Sequence, residues 1–413
     1  MKDPFRIDSS KILYHRDWVE RWRNARESWE QARELEPIYL EISPVGYCNH
    51  SCTFCGVDYM LDRPEKPMIV ADVLRRTLTD MAQHGVKSVM LAGAGEPLLY
   101  KPLADIIRHA DAVGIDTSIT TNAVLLTEAF CRTAFQAKRL SWIKASINGG
   151  DAATYARIHQ TKEQDLETVL ANIARAVRLR EEMGSPVTIG AQLVALPEIT
   201  RGDPKTLKQE RIPSNIHTVI PLAMRLREIG ADYLVVKPYS QHLMSTDSRV
   251  YQDVRYQEAY AWAHEAEDVA NDRFKVIVRW KTMQSWDRED RGYSICHATP
   301  YAWGYIEADG NVWSCSTYLG REGTDGSFGD DRFRLGNVNE QGFWDIWTGE
   351  RRRANWEYTG KALQDGGLDI SECRKNCRMN QVNLDLEGLL KGKVDLRDVA
   401  DDMRLRVPHV NFI

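Results

Sequence analysis

From about residue 37 to residue 240, apolar runs of strand length alternate with longer stretches whose apolar residues recur every three or four positions. The runs "PIYLEIS" (37–43), "SVMLAG" (88–93), "DTSITT" (116–121), "WIKASI" (142–147), "VTIGAQLVA" (187–195) and "DYLVVKPY" (232–239) predict six strands. Between them, Leu74, Leu78 and Met81 predict one helix face. Leu103, Ile106, Ile107 and Ala110 predict a second, and Leu166, Leu170, Ile173 and Val177 a third. Gly85, Gly114 and Gly184 follow these faces as helix stops. A regular strand–helix alternation predicts a parallel sheet covered by helices, and such sheets carry their chemistry at the C-terminal ends of the strands.

The flanks follow other patterns. Residues 9–36 predict a polar N-terminal helix, and 250–271 a helix rich in Tyr, Ala and Glu. Beyond residue 290 the elements become short, with a hairpin "AWGYIEADGNVWSC" turning at Asp309-Gly310. The expected division is an N-terminal helical extension (1–36), an α/β unit (37–245), a helical linker (246–289), a small C-terminal domain (290–385) and a tail (386–413). No internal repeat or low-complexity segment interrupts it.

Composition narrows the setting. A chain of 413 residues buries a large core, and its 54 Lys and Arg against 59 Asp and Glu, interspersed in sequence, advertise no nucleic-acid partner. No segment approaches the roughly eighteen apolar residues of a membrane span, and the N-terminus lacks a signal peptide's apolar run. The expectation is a cytoplasmic protein with no membrane partner. In that reducing compartment its eight cysteines point to metal or redox chemistry rather than disulfides.

Three of them, Cys48, Cys52 and Cys55, follow the first strand directly in "YCNHSCTFC". Three thiolates can hold a cubane iron–sulfur cluster by three irons and leave the fourth iron open. A zinc site or three unrelated core cysteines remain open on spacing alone. Cys296, Cys315, Cys373 and Cys377 form a second set, enough to ligate a cubane completely or to build a structural zinc site. Cys131, among apolar neighbours at helical spacing, reads as a core thiol. His50 stands between two cysteines of the loop, with nothing that makes it an iron ligand.

The C-x-x-x-C-x-x-C arrangement, with Phe54 before its last cysteine, resembles the cluster loop of the radical S-adenosylmethionine (SAM) enzymes. Gly95-Glu96-Pro97 in "LAGAGEPLL" is similar to the family's Gly-Gly-Glu-Pro motif, with Ala94 where the first glycine is common. "ITTNA", with Thr121 and Asn122, resembles the third-strand segment; "ASINGG" resembles the fourth, with Ser146 and with Asn148 in place of the usual Asp. The fold class this resemblance implies is α/β, a partial (β/α)6 TIM-like barrel with a small C-terminal iron–sulfur domain. The family's open iron chelates SAM, and an electron from the cluster cleaves SAM to a 5′-deoxyadenosyl radical. Glu96 would receive the SAM amino group, with Phe54, Gly95, Pro97, Thr121, Asn122, Ser146, Asn148 and Gln192 as the other cofactor-facing residues.

"YIEADGNVWSC" resembles the auxiliary-cluster extension of these enzymes, SPASM in its long form and Twitch in its short one. Four cysteines beyond residue 290 imply one auxiliary [4Fe–4S] cluster beside the SAM-binding [4Fe–4S] cluster. Lys237 and Tyr239, at the end of the sixth strand, are candidates for proton transfer or substrate contact, and Tyr59 and His242 for substrate contact. The resemblance implies an oxidoreductase or related radical enzyme that draws electrons from a flavodoxin or ferredoxin. The first 36 residues are short for the winged-helix module of many peptide maturases, so the expected substrate is a small hydroxylated molecule, a sugar or aminocyclitol. It would be dehydrogenated, epimerised or subjected to elimination. A maturase of ribosomally made peptides and a non-catalytic zinc or iron–sulfur protein are the alternatives.

Overall fold

The computed structural model describes residues 3–61, 64–202, 209–239, 245, 256, 259–286, 291–319, 331–374, 376–399 and 407–413. Its strands are β1 (Tyr39–Ile42), β2 (Ser88–Leu91), β3 (Asp116–Thr121), β4 (Leu140–Ser146), β5 (Thr188–Ala195), β6 (Ile199–Gly202), β7 (Gln209–Ile212), β8 (Tyr233–Pro238), β9 (Lys275–Val278), β10 (Trp303–Ile306), β11 (Asn311–Trp313) and β12 (Arg334–Asn337). All but the β6–β7 ribbon join one sheet in the order β12-β11-β10-β1-β2-β3-β4-β5-β8-β9. From β10 through β9 every neighbouring pair is parallel. The sheet curls into a partial barrel that stays open between β9 and the β10 side.

The six strands expected from the hydrophobic pattern are all present. Leu74, Leu78 and Met81 are buried on the helix Ala71–Gln83, Ile106, Ile107 and Ala110 on Leu103–Val113, and Leu166, Leu170 and Ile173 on Gln164–Met183. Gly114 and Gly184 cap the latter two with φ of 92° and 58°, a left-handed geometry that favours glycine. These helices cover the outer face of the sheet, where Leu40, Ile119, Ile143, Leu193 and Leu234 join one large core.

Three features differ from expectation. The short run "FKVIV" within the supposed linker supplies β9, a four-residue parallel strand on β8. The Asp309-Gly310 hairpin does not stand apart, because β10 pairs in parallel with β1 and extends the barrel's own sheet. The N-terminal segment forms two helices, Arg16–Ala25 and Trp29–Arg33, that bury Trp18, Trp22 and Trp29. Trp22 packs edge-on against His297 and Tyr301, and Trp29 lies beside Trp356. The helix therefore belongs to the packing of the C-terminal region. Of the 250–271 helix, Tyr260–Glu267 is formed; much of the rest, and His242, lie outside the described residues.

The last residues return to the barrel floor, at the N-terminal ends of the strands. Ser88 Oγ, on the first residue of β2, donates to the Asn411 carbonyl at 2.6 Å, and Asn411 Nδ2 donates to Asp116, the first residue of β3, at 2.6 Å. Lys11 Nζ holds the carbonyls of Pro408 and His409 at 3.2 and 3.0 Å. Phe412 lies edge-on to Trp142 and Tyr39 inside the barrel. Replacing half-buried Phe412 with Ala should cost about 2 kcal/mol of stability. A urea unfolding midpoint equal to that of the parent protein would show that this segment does not support the floor.

Candidate active site and cysteine clusters

The loop after β1 carries Cys48, Cys52 and Cys55. Its backbone docks on the end of the helix Ala152–His159, with Thr53 N–H donating to Ile158 O at 2.9 Å and Ser51 N–H to His159 O at 3.3 Å. Ser245 Oγ donates to the Cys55 carbonyl at 3.1 Å. Burial chiefly, and also Cys55 and Cys48, push the Cys52 thiol far above the ordinary range, which places the three sulfurs within electrostatic reach of one another. Burial likewise pushes Cys48 up to about 11. The ligand form is the thiolate, so filling this site releases protons.

His159 braces the loop. Its Nε2 accepts the Asn148 backbone N–H at 3.2 Å, which puts the ring proton on Nδ1, 3.3 Å from Cys52 Sγ. Burial pushes His159 down to about 3, so the ring is neutral. His50 is buried beside His159, ring centroids 5.3 Å apart; its backbone N–H donates to Cys48 Sγ at 3.4 Å, and its ring nitrogens do not hydrogen-bond the described residues. Phe54 packs edge-on to His159.

Glu96 links the loop to the strand ends. It is almost fully buried and accepts from Thr121 Oγ1 at 2.5 Å, Leu98 N–H at 2.9 Å and Asn122 N–H at 2.7 Å. Burial pushes its carboxyl up, and these three donors oppose that shift. Two bonds fall on Oε1 and one on Oε2, leaving Oε2 room for one further donor. Asn122 Nδ2 then reaches Asn49 Oδ1 in the cysteine loop at 2.7 Å. Gly95 is required here, because a Cβ would run into the carbonyl oxygens of Val45 and Tyr47. Pro97 opens the short helical turn that aims Leu98 N–H at Glu96.

The other expected residues separate into two kinds. Ser146 and Gln192 face each other inside the barrel, Nε2 to Oγ at 2.9 Å. Lys237 shares the inward face of β8 with Tyr233. Asn148 is fully buried and engaged, its Oδ1 accepting Val194 N–H at 2.7 Å and its Nδ2 lying 3.2 Å from His159 Nε2. It holds β4 and β5 together. Tyr239 is buried in the outer core near Trp286, and its N–H donates to Tyr256 Oη at 2.7 Å. Tyr59 Oη donates to Leu319 O at 2.8 Å, joining the cysteine loop to the C-terminal region. Cys131 is a buried core thiol pushed up to about 12 by desolvation.

The second cysteine set also converges. Burial pushes Cys373 up to about 12, with Cys377, Cys315 and Cys296 adding to the shift. Tyr318 Oη lies 3.7 Å from Cys373 Sγ, and Asn383 Nδ2 donates to Cys296 Sγ at 3.7 Å. Cys377 lines a cavity of about 800 Å³ that fills the open side of the barrel, and Trp142, Lys144, Tyr233 and Arg279 form its inner wall. Seven Lys and Arg side chains line this cavity against one acidic side chain, Asp8. Arg378 is spent on Glu41, with Tyr39 Oη at 2.9 Å.

The motif reading missed His159, Asn49, Lys144 and Arg279. Lys144 had a signal, since "WIKASI" alternates Trp142, Lys144 and Ser146 onto one face. His159 had none.

Residues 42–209 match the model of the Radical SAM superfamily, and residues 296–378 that of an iron–sulfur cluster-binding domain, SPASM. The chain carries a radical SAM domain followed by an iron–sulfur cluster-binding domain. The radical SAM domain brings a [4Fe–4S] cluster and SAM, and the second domain brings auxiliary iron–sulfur ligation. The three and four convergent thiols fit these groups. The chain is 25% identical over 324 residues to the tungsten-containing aldehyde ferredoxin oxidoreductase cofactor-modifying protein of Pyrococcus furiosus, covering 77% of this chain and 82% of that one. It is 38% identical over 91 residues to the PqqA peptide cyclase of Bradyrhizobium diazoefficiens, 22% of this chain and 23% of that one. A probable GTP 3′,8-cyclase of Methanothermobacter marburgensis is 34% identical over 143 residues, 34% of this chain. That match covers 44% of the cyclase, and the chain spans under half the length of most of these curated relatives. In fold, it is similar to Streptococcus suis SuiB bound to S-adenosylmethionine, with TM-score 0.56 and 20% identity over 76% of this chain and 66% of that one. No described helix is long and apolar enough to cross a membrane.

Replacing Glu96 with Ala removes one acceptor from three buried donors. SAM affinity should fall by about 1.5–3 kcal/mol while the cluster absorbance near the first cysteine set persists. Equilibrium dialysis with labelled SAM on the reconstituted variant measures this, and an unchanged affinity would leave Glu96 as a purely structural hub.

Proposed function

We propose that this chain is a radical SAM oxidoreductase whose substrate is a ribosomally made peptide, with one residue of the peptide reaching into the barrel. The supporting observation is the cavity on the open side of the barrel, which joins the inner wall around Trp142 to Cys377 of the second cysteine set. When bound, the cluster on Cys48, Cys52 and Cys55 supplies the electron that cleaves SAM to methionine and a hydrogen-abstracting radical, and the auxiliary cluster offers an acceptor for the substrate's second electron. Glu96 offers its remaining acceptor position to the SAM ammonium, and the Ser146–Gln192 pair offers polar contacts on the inner wall. Tyr39, Met90 and Trp142 line the cavity, and Tyr39 and Trp142 meet Phe412 of the barrel floor.

Of the small hydroxylated substrates expected from sequence, the aminocyclitol fits this cavity less well. An aminocyclitol would carry its own ammonium toward a wall where Lys and Arg side chains outnumber the one acidic side chain, Asp8. A peptide residue with a carboxylate side chain meets no such penalty. The PqqA peptide cyclase among the relatives is named for a peptide substrate.

Co-expression with short open reading frames flanking the gene, followed by mass spectrometry, tests this reading. The expected product is a peptide lighter by about 2 Da, one hydrogen atom having left to the radical and one electron and one proton afterwards. Replacing Cys48, Cys52 and Cys55 together with Ala should abolish 5′-deoxyadenosine formation. Replacing Cys315 and Cys373 should uncouple 5′-deoxyadenosine from product in protein that retains its circular dichroism. Product formation at the parent rate in the latter variant would reduce the second set to a structural staple.

A further inference from the structure

Lys144 on β4, Lys237 on β8 and Arg279 just after β9 project from three strands into the barrel interior. Lys144 and Arg279 line the cavity beside Tyr233, and Lys237 and Arg279 are the charges that act most on Lys144. Gly190, the residue between Lys144 and Tyr233 in register, has no side chain to separate them; a Cβ there would strike the Tyr233 ring. Lys144 Nζ rests over the Trp142 ring, 4.8 Å from its centroid.

These three half-buried cations have no hydrogen-bond or ion-pair partner among the described residues. Arg279 Nε is buried without a hydrogen bond, and no side-chain hydrogen bond or ion pair with a described residue holds Lys144 or Lys237. Three other cations of the wall are engaged, Lys11 by two carbonyls, Arg378 by Glu41 and Arg291 by the Cys373 carbonyl. Asp8 and Asp3 attract Arg279 from beyond ion-pair distance, and one Asp8 oxygen already accepts Lys281 N–H at 3.0 Å. Arg374 adds further repulsion on Lys237. Burial and these neighbours push Lys144 down to about 7 and Lys237 to about 8. A fold does not gather three half-buried like charges for its own stability.

We propose that Lys144, Lys237 and Arg279 form a binding site for an anionic group of the substrate, a carboxylate or a phosphate, held against the Trp142 wall of the cavity. This rests on the reading of the chain as a radical SAM enzyme whose substrate enters the barrel. For a peptide substrate the group is an Asp or Glu carboxylate, and for a phosphorylated small molecule it is the phosphate.

Isothermal titration calorimetry on the full-length reconstituted protein at low salt tests the site without any SAM cleavage, so it fails or succeeds independently of the proposed reaction. The probes are glutarate for the carboxylate arm and inorganic phosphate for the other. One of the two should bind at one site per chain, and the arm that binds identifies the source. Lys144→Met and Arg279→Gln should each weaken binding about tenfold or more, whereas Lys144→Arg should keep it within about threefold. Lys144→Met should also raise the melting temperature of the unliganded protein, because it removes a repelled charge from the interior. The proposal is overturned if neither anion binds at concentrations up to about 10 mM, a limit below which little affinity remains to measure. It is equally overturned if both substitutions leave affinity unchanged, or if Lys144→Met lowers the melting temperature.

Discussion

A parallel sheet that curls without closing leaves an interior that side chains alone do not fill and a flank that nothing in the sheet covers. Most of this architecture answers that constraint. β10 and its hairpin extend the sheet on one side, while the N-terminal segment and the C-terminal region line the cavity on the open flank. Arg352 shows how firmly these parts are joined. It is fully buried, stacks on Trp347 and donates to the carbonyls of Ala32, Pro300 and Trp347, tying the N-terminal helices to the C-terminal region. Its charge is spread over carbonyl dipoles, which is how a buried cation without a carboxylate partner is made tolerable.

Ionisable groups divide accordingly. Those that build the frame are satisfied by the protein: Glu96 by three donors, Arg352 by carbonyls, and Glu41 by Arg378 and Tyr39. The Lys144–Lys237–Arg279 group is not; burial and neighbouring cations push Lys144 and Lys237 down, as burial and neighbouring thiols push Cys52 and Cys373 up. Thiols pushed up and lysines pushed down are both signs of a site built for something the chain does not itself contain, a cluster in one case and an anion in the other.

Much of this could be read from the one-dimensional pattern. The six strands and the helices between them follow from period-two and period-3.6 burial, and the cysteine spacings, Gly95-Glu96 and Thr121-Asn122 are local motifs whose geometry is set by a few consecutive residues. β9 escaped notice because a four-residue strand carries too few positions to show a period. The pairing of β10 with β1 was not legible, because it joins residues more than 260 positions apart and no local signal encodes such a partner.

The sequence by itself determined what kinds of groups are present and the order in which the strands deliver them: three thiols after the first strand, a carboxylate after the second, four thiols near the end. Backbone propensity and apolar periodicity are enough for that, since they act over a turn or a strand. Only the tertiary structure decided which groups meet. It turned Asn148 from an expected cofactor contact into a fully bonded tie between β4 and β5, set His159 against Cys52, and buried Tyr239 in the outer core while Lys237 kept to the barrel interior. It also gathered three cations from separate parts of the sheet in the barrel interior, two of them lining one cavity. Proximity of that kind depends on strand register and on which edge is left open, and both are fixed by packing across the whole sheet rather than by any residue's neighbours in sequence.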